Sequence, residues 1–354
     1  MNAPAVMRGI AKLHPKEGLW PTEAPIPEPG PYEVLIRIRR TAICGTDLHI
    51  YRWDDWAART VPTPMIVGHE YSGVIEAIGD AVTRPLRIGQ RVSGEGHLVD
   101  PDSAASRAGR FHLDPDTRGV GVDRQGAFAE YLCIPAFNVV PLPDDVSDDV
   151  GALLDPLGNA VHTAQQFDLL GEDVLVTGAG PIGIMAAGVA RAAGARTVMI
   201  TDQNPYRLAL ASRLYDVTPV DVSRQDLRAA MAAADVEGGF GVALEMSGAP
   251  AAINQAFDAL AMGGSIAMLG LPSASMDVAW SKVILKALTI RGVYGREMFG
   301  TWRKMLGLLR GGLRVEPLIT HRFNAVDFQE AFETALGGEA GKVVMSWDAA
   351  TRSS

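Results

Sequence analysis

From Glu172 to Asp202 the chain reads EDVLVTGAGPIGIMAAGVARAAGARTVMITD, and this stretch restricts the fold more than any other. An apolar strand pattern runs into a glycine turn, a long apolar segment of helical length follows, and a second apolar strand closes on an acid. Two strands joined through a helix are expected to run parallel with a right-handed crossover. The turn GAGPIG puts Gly178, Gly180 and Gly183 at the mouth of the helix. In such a turn the first glycine permits the tight bend, the second lets backbone amides approach a pyrophosphate, and the third lets the helix pack closely on the strand. Asp202 stands 19 residues after Gly183, where a carboxylate can accept hydrogen bonds from an adenosine ribose. The expected ligand is a dinucleotide. The charge of Asp202 opposes a 2′-phosphate and so favours NAD over NADP. Arg207 argues the other way, since an arginine can accept that phosphate; packing near an adenine is its alternative role.

Further strands are expected in GVALEMSG (241–248), GSIAMLG (264–270) and LTIRGVYG (288–295), so residues 151–295 should form a Rossmann-type, doubly wound parallel sheet. Residues 1–150 have another texture. They are rich in Pro and Gly, and YEVLIRIRR (32–40) and YSGVIEAIG (71–79) alternate as half-buried strands do. A small β-barrel is expected there, completed by residues 296–354 and their final strand KVVMSW. Two domains also suit 354 residues, which exceed one ordinary core.

A net charge of −9 opposes a sequence-independent hold on nucleic acid. The opening residues hold no signal-peptide run, and no stretch offers the 18 or so apolar residues that span a bilayer. A cytoplasmic protein acting on a small molecule is expected, with neither nucleic acid nor membrane as partner. Two cysteines make no disulfide framework, so Cys44 in TAICGTDLHI (41–50) must be judged by its neighbours. Downstream, VGHEYSG places His69 beside Glu70. Thiolate, imidazole and carboxylate are ligand types that suit a catalytic zinc ion with a fourth position open.

The run Gly68, His69, Glu70, Gly73, Gly79 and Val82 resembles the signature of zinc-dependent medium-chain dehydrogenases. The segments AICGTDLHIY, SGEGH, DPLGNAVHT, EMSGAP and GVYGREMF resemble the threonine branch of that family, and the resemblance runs from about residue 8 to 348. It implies a GroES-like catalytic domain, a Rossmann NAD domain, and oxidation of the 3-hydroxyl of L-threonine to 2-amino-3-oxobutanoate. It also implies that Cys44, His69 and Glu70 hold zinc, that Thr46 receives the alcohol proton and that His49 passes it outward. Asp155 would assist near the zinc, and His97 would lie toward the substrate. Ile182, Asp202, Arg207, the run Leu269, Gly270 and Leu271, and Val293 with Tyr294 would line the NAD site. A homo-oligomer, in relatives a homotetramer, is implied as well.

One departure stands out. Many relatives carry a second, structural zinc on four cysteines, and here Asp100, Ser103, Ser106 and Asp114 occupy those positions. Hydroxyls and hard carboxylates suit a tetrahedral zinc poorly, so one catalytic zinc and no structural zinc is expected. Nothing in the residues identifies a grip on an ammonium and a carboxylate, which leaves a polyol or other secondary-alcohol dehydrogenase open. A nucleotide-binding regulator without catalysis is the remaining alternative; the intact set Cys44, Thr46, His49, His69, Glu70 and Asp155 speaks against it.

Overall fold

The computed structural model describes residues 5–272 and 275–348. The chain divides into two compact units, one made of residues 1–155 and 319–354, the other of residues 156–318. The second crossing falls well beyond the residue 295 expected from the sequence, because the helix Gly300–Arg310 belongs to the second unit.

The first unit is mainly antiparallel. Its larger sheet has the path Val139–Pro141, Arg91–Gly94, Glu70–Ile78, Glu33–Ala42, Lys342–Ser346, Ile319–Asn324, and Tyr131–Pro135 also pairs with Glu33–Ala42. The alternation read in residues 32–40 and 71–79 gives the two longest partners, with Ala42 opposite Glu70 and Arg37 opposite Val74. A smaller sheet joins Trp20–Pro25, Val6–Lys12 and Met65–Ile66. Apolar residues of both sheets, among them Ile10, Ile36 and Ile38, share one core with Phe128 from a connecting segment and with Phe332 and Met345 from the end of the chain. Burial of that apolar surface is the main force holding the last strand against the first half.

The second unit is a six-stranded parallel sheet. Its strands are β1 (Asp173–Thr177), β2 (Thr197–Asp202), β3 (Thr218–Asp221), β4 (Phe240–Glu245), β5 (Leu260–Met268) and β6 (Thr289–Gly292), in the order β3-β2-β1-β4-β5-β6. This is the doubly wound order whose two halves meet between β1 and β4. Strand β3 was not legible in the sequence: it is four residues long and contains Pro219, which an edge strand tolerates because one of its sides makes no ladder.

Candidate active site and cofactor sites

Cys44 follows the long strand Glu33–Ala42 and is the N-cap of the helix Gly45–Arg52, with extended backbone (φ −98°, ψ 162°). Asp47, one turn in, accepts the Cys44 amide at 2.8 Å, satisfying a donor that the helix start would otherwise leave open. On the opposing strand pair, Gly68 holds φ +89°, and a Cβ there would lie 2.1 Å from Phe128 Cδ1. Only glycine fits, and the bend it allows directs His69 and Glu70 toward Cys44.

The ligand atoms of Cys44, His69 and Glu70 lie within 4.8 Å of one another, the one such group of three among the described residues. Polar atoms around it lack partners: His69 Nδ1, Glu70 Oε1 and Asp47 Oδ1 are buried without a hydrogen bond. Burial disfavours a charged His69, yet the negative groups Asp47, Cys44 and Asp155 pull its pKa well above the usual imidazole range. A cluster of anionic donors with open valences calls for a cation, so the donor set fits a zinc ion.

Two residues absent from the sequence reading complete this centre. Asp47 is fully buried, with Oδ1 3.7 Å from His69 Nδ1. Lys342 is also buried, donating to Ile43 O at 2.8 Å and to Glu70 Oε2. Despite burial, Glu70 and Cys44 hold its ammonium pKa above the ordinary value. The acid of CGTD was a local clue to Asp47. Lys342 had none, lying in an apparently ordinary final strand.

Thr46 Oγ1 stands 3.9 Å from Cys44 Sγ. His49, one turn further along the helix, is exposed and bonds through Nδ1 to Asp54, the N-cap of the next helix. Asp155 is buried in the helix Leu154–Ala164, and its charge acts on Asp47, His69 and Glu70. His97 is fixed by Glu95, whose Oε1 lies 2.9 Å from its Nδ1; it is not part of the ligand group. Cys133 is half-buried, with Sγ 3.4 Å from Glu33 Oε2; burial and that carboxylate push its thiol pKa up to about 12, which keeps it protonated and a poor nucleophile.

In the second unit Gly178 ends β1 in the left-handed region, φ +91°. A Cβ on Gly183 would lie 1.9 Å from Gly178 O, whereas one on Gly180 would meet nothing within 4 Å. The turn is thus closed on its sheet side and open at the N-terminus of the helix Pro181–Ala192. Asp202 ends β2. Its carboxylate accepts the amides of Ala179 at 2.6 Å, Gln203 at 2.7 Å and Asn204 at 2.8 Å, which fixes it beside the glycine turn. Arg207, in the first turn of the helix Pro205–Leu214, keeps a buried Nε without a partner. Ile182 is half-buried at the helix mouth. At the other half of the sheet edge, Leu269 and Gly270 donate to Glu245 O, Val293 donates to Met268 O, and Leu271 and Tyr294 are exposed. An open amide-lined turn beside a fixed carboxylate fits a dinucleotide.

Residues 30–144 match the alcohol dehydrogenase GroES-like domain family, and residues 181–311 match the zinc-binding dehydrogenase family. The chain belongs to the zinc-binding alcohol dehydrogenases. Within that family it is 59% identical to L-threonine 3-dehydrogenase of Ruegeria pomeroyi over 342 residues, covering 96% of this chain and all of the relative. It is 54% identical to the Escherichia coli K12 protein of that name, covering 97% of this chain and again all of the relative. Among solved structures, an alcohol dehydrogenase from Thermus sp. ATN1 superposes with a TM-score of 0.88 at 27% identity, covering 96% of this chain and 99% of that one. Galactitol-1-phosphate dehydrogenase from Escherichia coli does so with a TM-score of 0.88 at 26%, covering 96% and 100%.

This dehydrogenase handles the lobe of the missing cysteines with hydrogen bonds. Buried Asp114 accepts the Asp100 amide at 2.6 Å and the Asp116 amide at 3.3 Å. Ser103 caps the helix Ala104–Arg107 by accepting the Ser106 amide at 3.1 Å.

Proposed function

We propose that the enzyme oxidises the 3-hydroxyl of L-threonine to 2-amino-3-oxobutanoate, with hydride transfer to NAD. Full-length identity of 54–59% to proteins named for that reaction carries the reading, and the assembled Cys44, His69 and Glu70 supply its chemistry. Zinc held by those three residues supplies Lewis acidity, which lowers the pKa of a substrate hydroxyl. Thr46, beside Cys44, takes the hydroxyl proton. His49, on the same helix face one turn on and open to solvent, carries it away, with Asp54 orienting its ring. Asp155, buried beside the trio, adds negative charge that favours a cation there. In the nucleotide unit the amides at Gly180 would hold the pyrophosphate and Asp202 the adenosine ribose.

A rate comparison of NAD reduction over L-threonine, sorbitol, butanediol and galactitol 1-phosphate tests the assignment. Turnover of a polyol equal to that of threonine would overturn it. Full NAD binding without turnover of any alcohol would point to the regulator instead.

The enzyme is further proposed to associate with copies of itself. The helix Trp280–Leu285 exposes Trp280, Ile284 and Leu285 at 61%, 73% and 75%, and among the described residues edge strand β6 pairs on one side only. Exposed apolar side chains and a free sheet edge are features that a second copy can cover. Sedimentation of Ile284→Glu should show a smaller assembly than the parent; an unchanged one would place the contact elsewhere. Among the described residues no helix is long and apolar enough to cross a membrane. The cytoplasm is the proposed compartment, a reducing one in which Cys44 persists as a ligand.

A further inference from the structure

Glu245 closes β4 with no exposure to solvent. Its Oε1 accepts the Ser247 amide at 2.8 Å, the Gly248 amide at 3.0 Å, the Thr177 hydroxyl at 3.3 Å and the Ser247 hydroxyl. The two amides can only donate, so the group serves them as an acceptor. Among the described residues no cationic side chain pairs with it, although fully buried carboxylates are ordinarily paired.

Its position is specific. Thr177 at the end of β1 and Met268 at the end of β5 are its register partners, so it stands on the carboxyl edge of the sheet where the two halves of a doubly wound fold meet. Asp202 on β2 marks the adenosine half, which leaves the edge of β4 to β6 for the nicotinamide half. Glycine backbone packs close against the carboxylate on that side. A Cβ on Gly270 would sit 2.5 Å from Glu245 Oε2, and one on Gly248 would sit 2.5 Å from Leu271 O. No side chain from these glycines screens the charge.

We infer that Glu245 is a charge-selecting residue for the cofactor, favouring the oxidised form of NAD over the reduced one. The oxidised nicotinamide ring carries a positive charge and the reduced ring none, while the rest of the molecule is unchanged. A fixed carboxylate without a cationic partner, placed near the ring, would stabilise the oxidised form and be indifferent to the reduced one, which favours loading of NAD and release of NADH. The inference rests on NAD binding at this edge.

Glu245→Gln keeps the shape and an acceptor oxygen and removes the charge. Dissociation constants for NAD and for NADH, measured separately by calorimetry on zinc-loaded protein, give the ratio that matters. The constant for NAD should rise about tenfold relative to that for NADH, the scale of one unit charge across a partly buried site. A purely supporting role would weaken both forms alike, and an unchanged ratio overturns the inference. If the glutamine variant does not fold, Glu245→Asp retracts the charge by one methylene and must move the ratio the same way. Failure of the parent enzyme to bind either form would remove the cofactor reading itself, and the inference with it.

Discussion

Lys342 in the last strand donates to Glu70 at the start of a strand from the first half of the chain, and both side chains are buried. Breaking such a pair from one side strands a buried charge and costs about 3 to 5 kcal/mol. Lys342→Met should therefore melt well below the parent when metal-free. Zinc should stabilise the variant more than the parent, because the ion replaces the lost ammonium beside Glu70. Thermal unfolding with chelator and with zinc measures both; an equal zinc response would mean that Glu70 does not face the metal.

Cys44→Ser replaces a soft thiolate with a neutral hydroxyl. Zinc should be lost on dialysis and activity with it, while NADH binding by the second unit stays at the parent level. Wild-type turnover with stoichiometric zinc would remove Cys44 from the centre.

Asp202→Ala deletes the acceptor of three backbone amides as well as the proposed ribose contact. Affinity for NAD should fall by roughly 1 to 3 kcal/mol, and the preference over NADP should narrow because the opposing charge is gone. Binding titrations with both cofactors check this. Constants that do not move would show that the carboxylate serves only the turn.

Asp148 accepts from Arg39 Nη1 at 3.1 Å and Arg91 Nε at 2.8 Å. Burial works against its charge, but the two guanidiniums outweigh it and hold the carboxyl below its ordinary range. A depressed carboxyl stabilises the fold fully above its unfolded pKa, near 4, and this is lost as pH falls through the folded value. Asp148→Asn should be less stable by about 1 to 3 kcal/mol at neutral pH, and the two proteins should converge as pH falls through the depressed folded pKa of Asp148. A gap that ignores pH would assign the loss to packing.

Elemental analysis should find one zinc per chain. Asp114→Ala should leave that count unchanged and raise amide exchange in the segment from Asp100 to Asp116, since Asp114 tethers the lobe. A second zinc that disappears in the variant would make the lobe a metal site after all.

The glycine turn, the acid ending β2 and the trio Cys44, His69 and Glu70 were legible because each is set by local chemistry at short spacing or by backbone bends that only glycine allows. Alternation likewise exposed the long strands of the first unit. Lys342 and Glu245 were not legible, since a buried charge acquires meaning only from partners brought together by the sheets. The boundary after Leu318 was hidden for a related reason: Gly300–Arg310 has the same amphipathic pattern in either unit, and only its packing assigns it.

The first unit is interrupted in sequence and the second is not. During synthesis residues 156–318 are all available before the strands Ile319–Asn324 and Lys342–Ser346 leave the ribosome, so the nucleotide unit can complete its fold on a chain whose other half is unfinished. Glu70 lacks its ammonium partner until Lys342 arrives. The zinc centre is thus among the last features that translation can assemble, and a chain truncated shortly before its end would bind cofactor without gaining a finished metal centre.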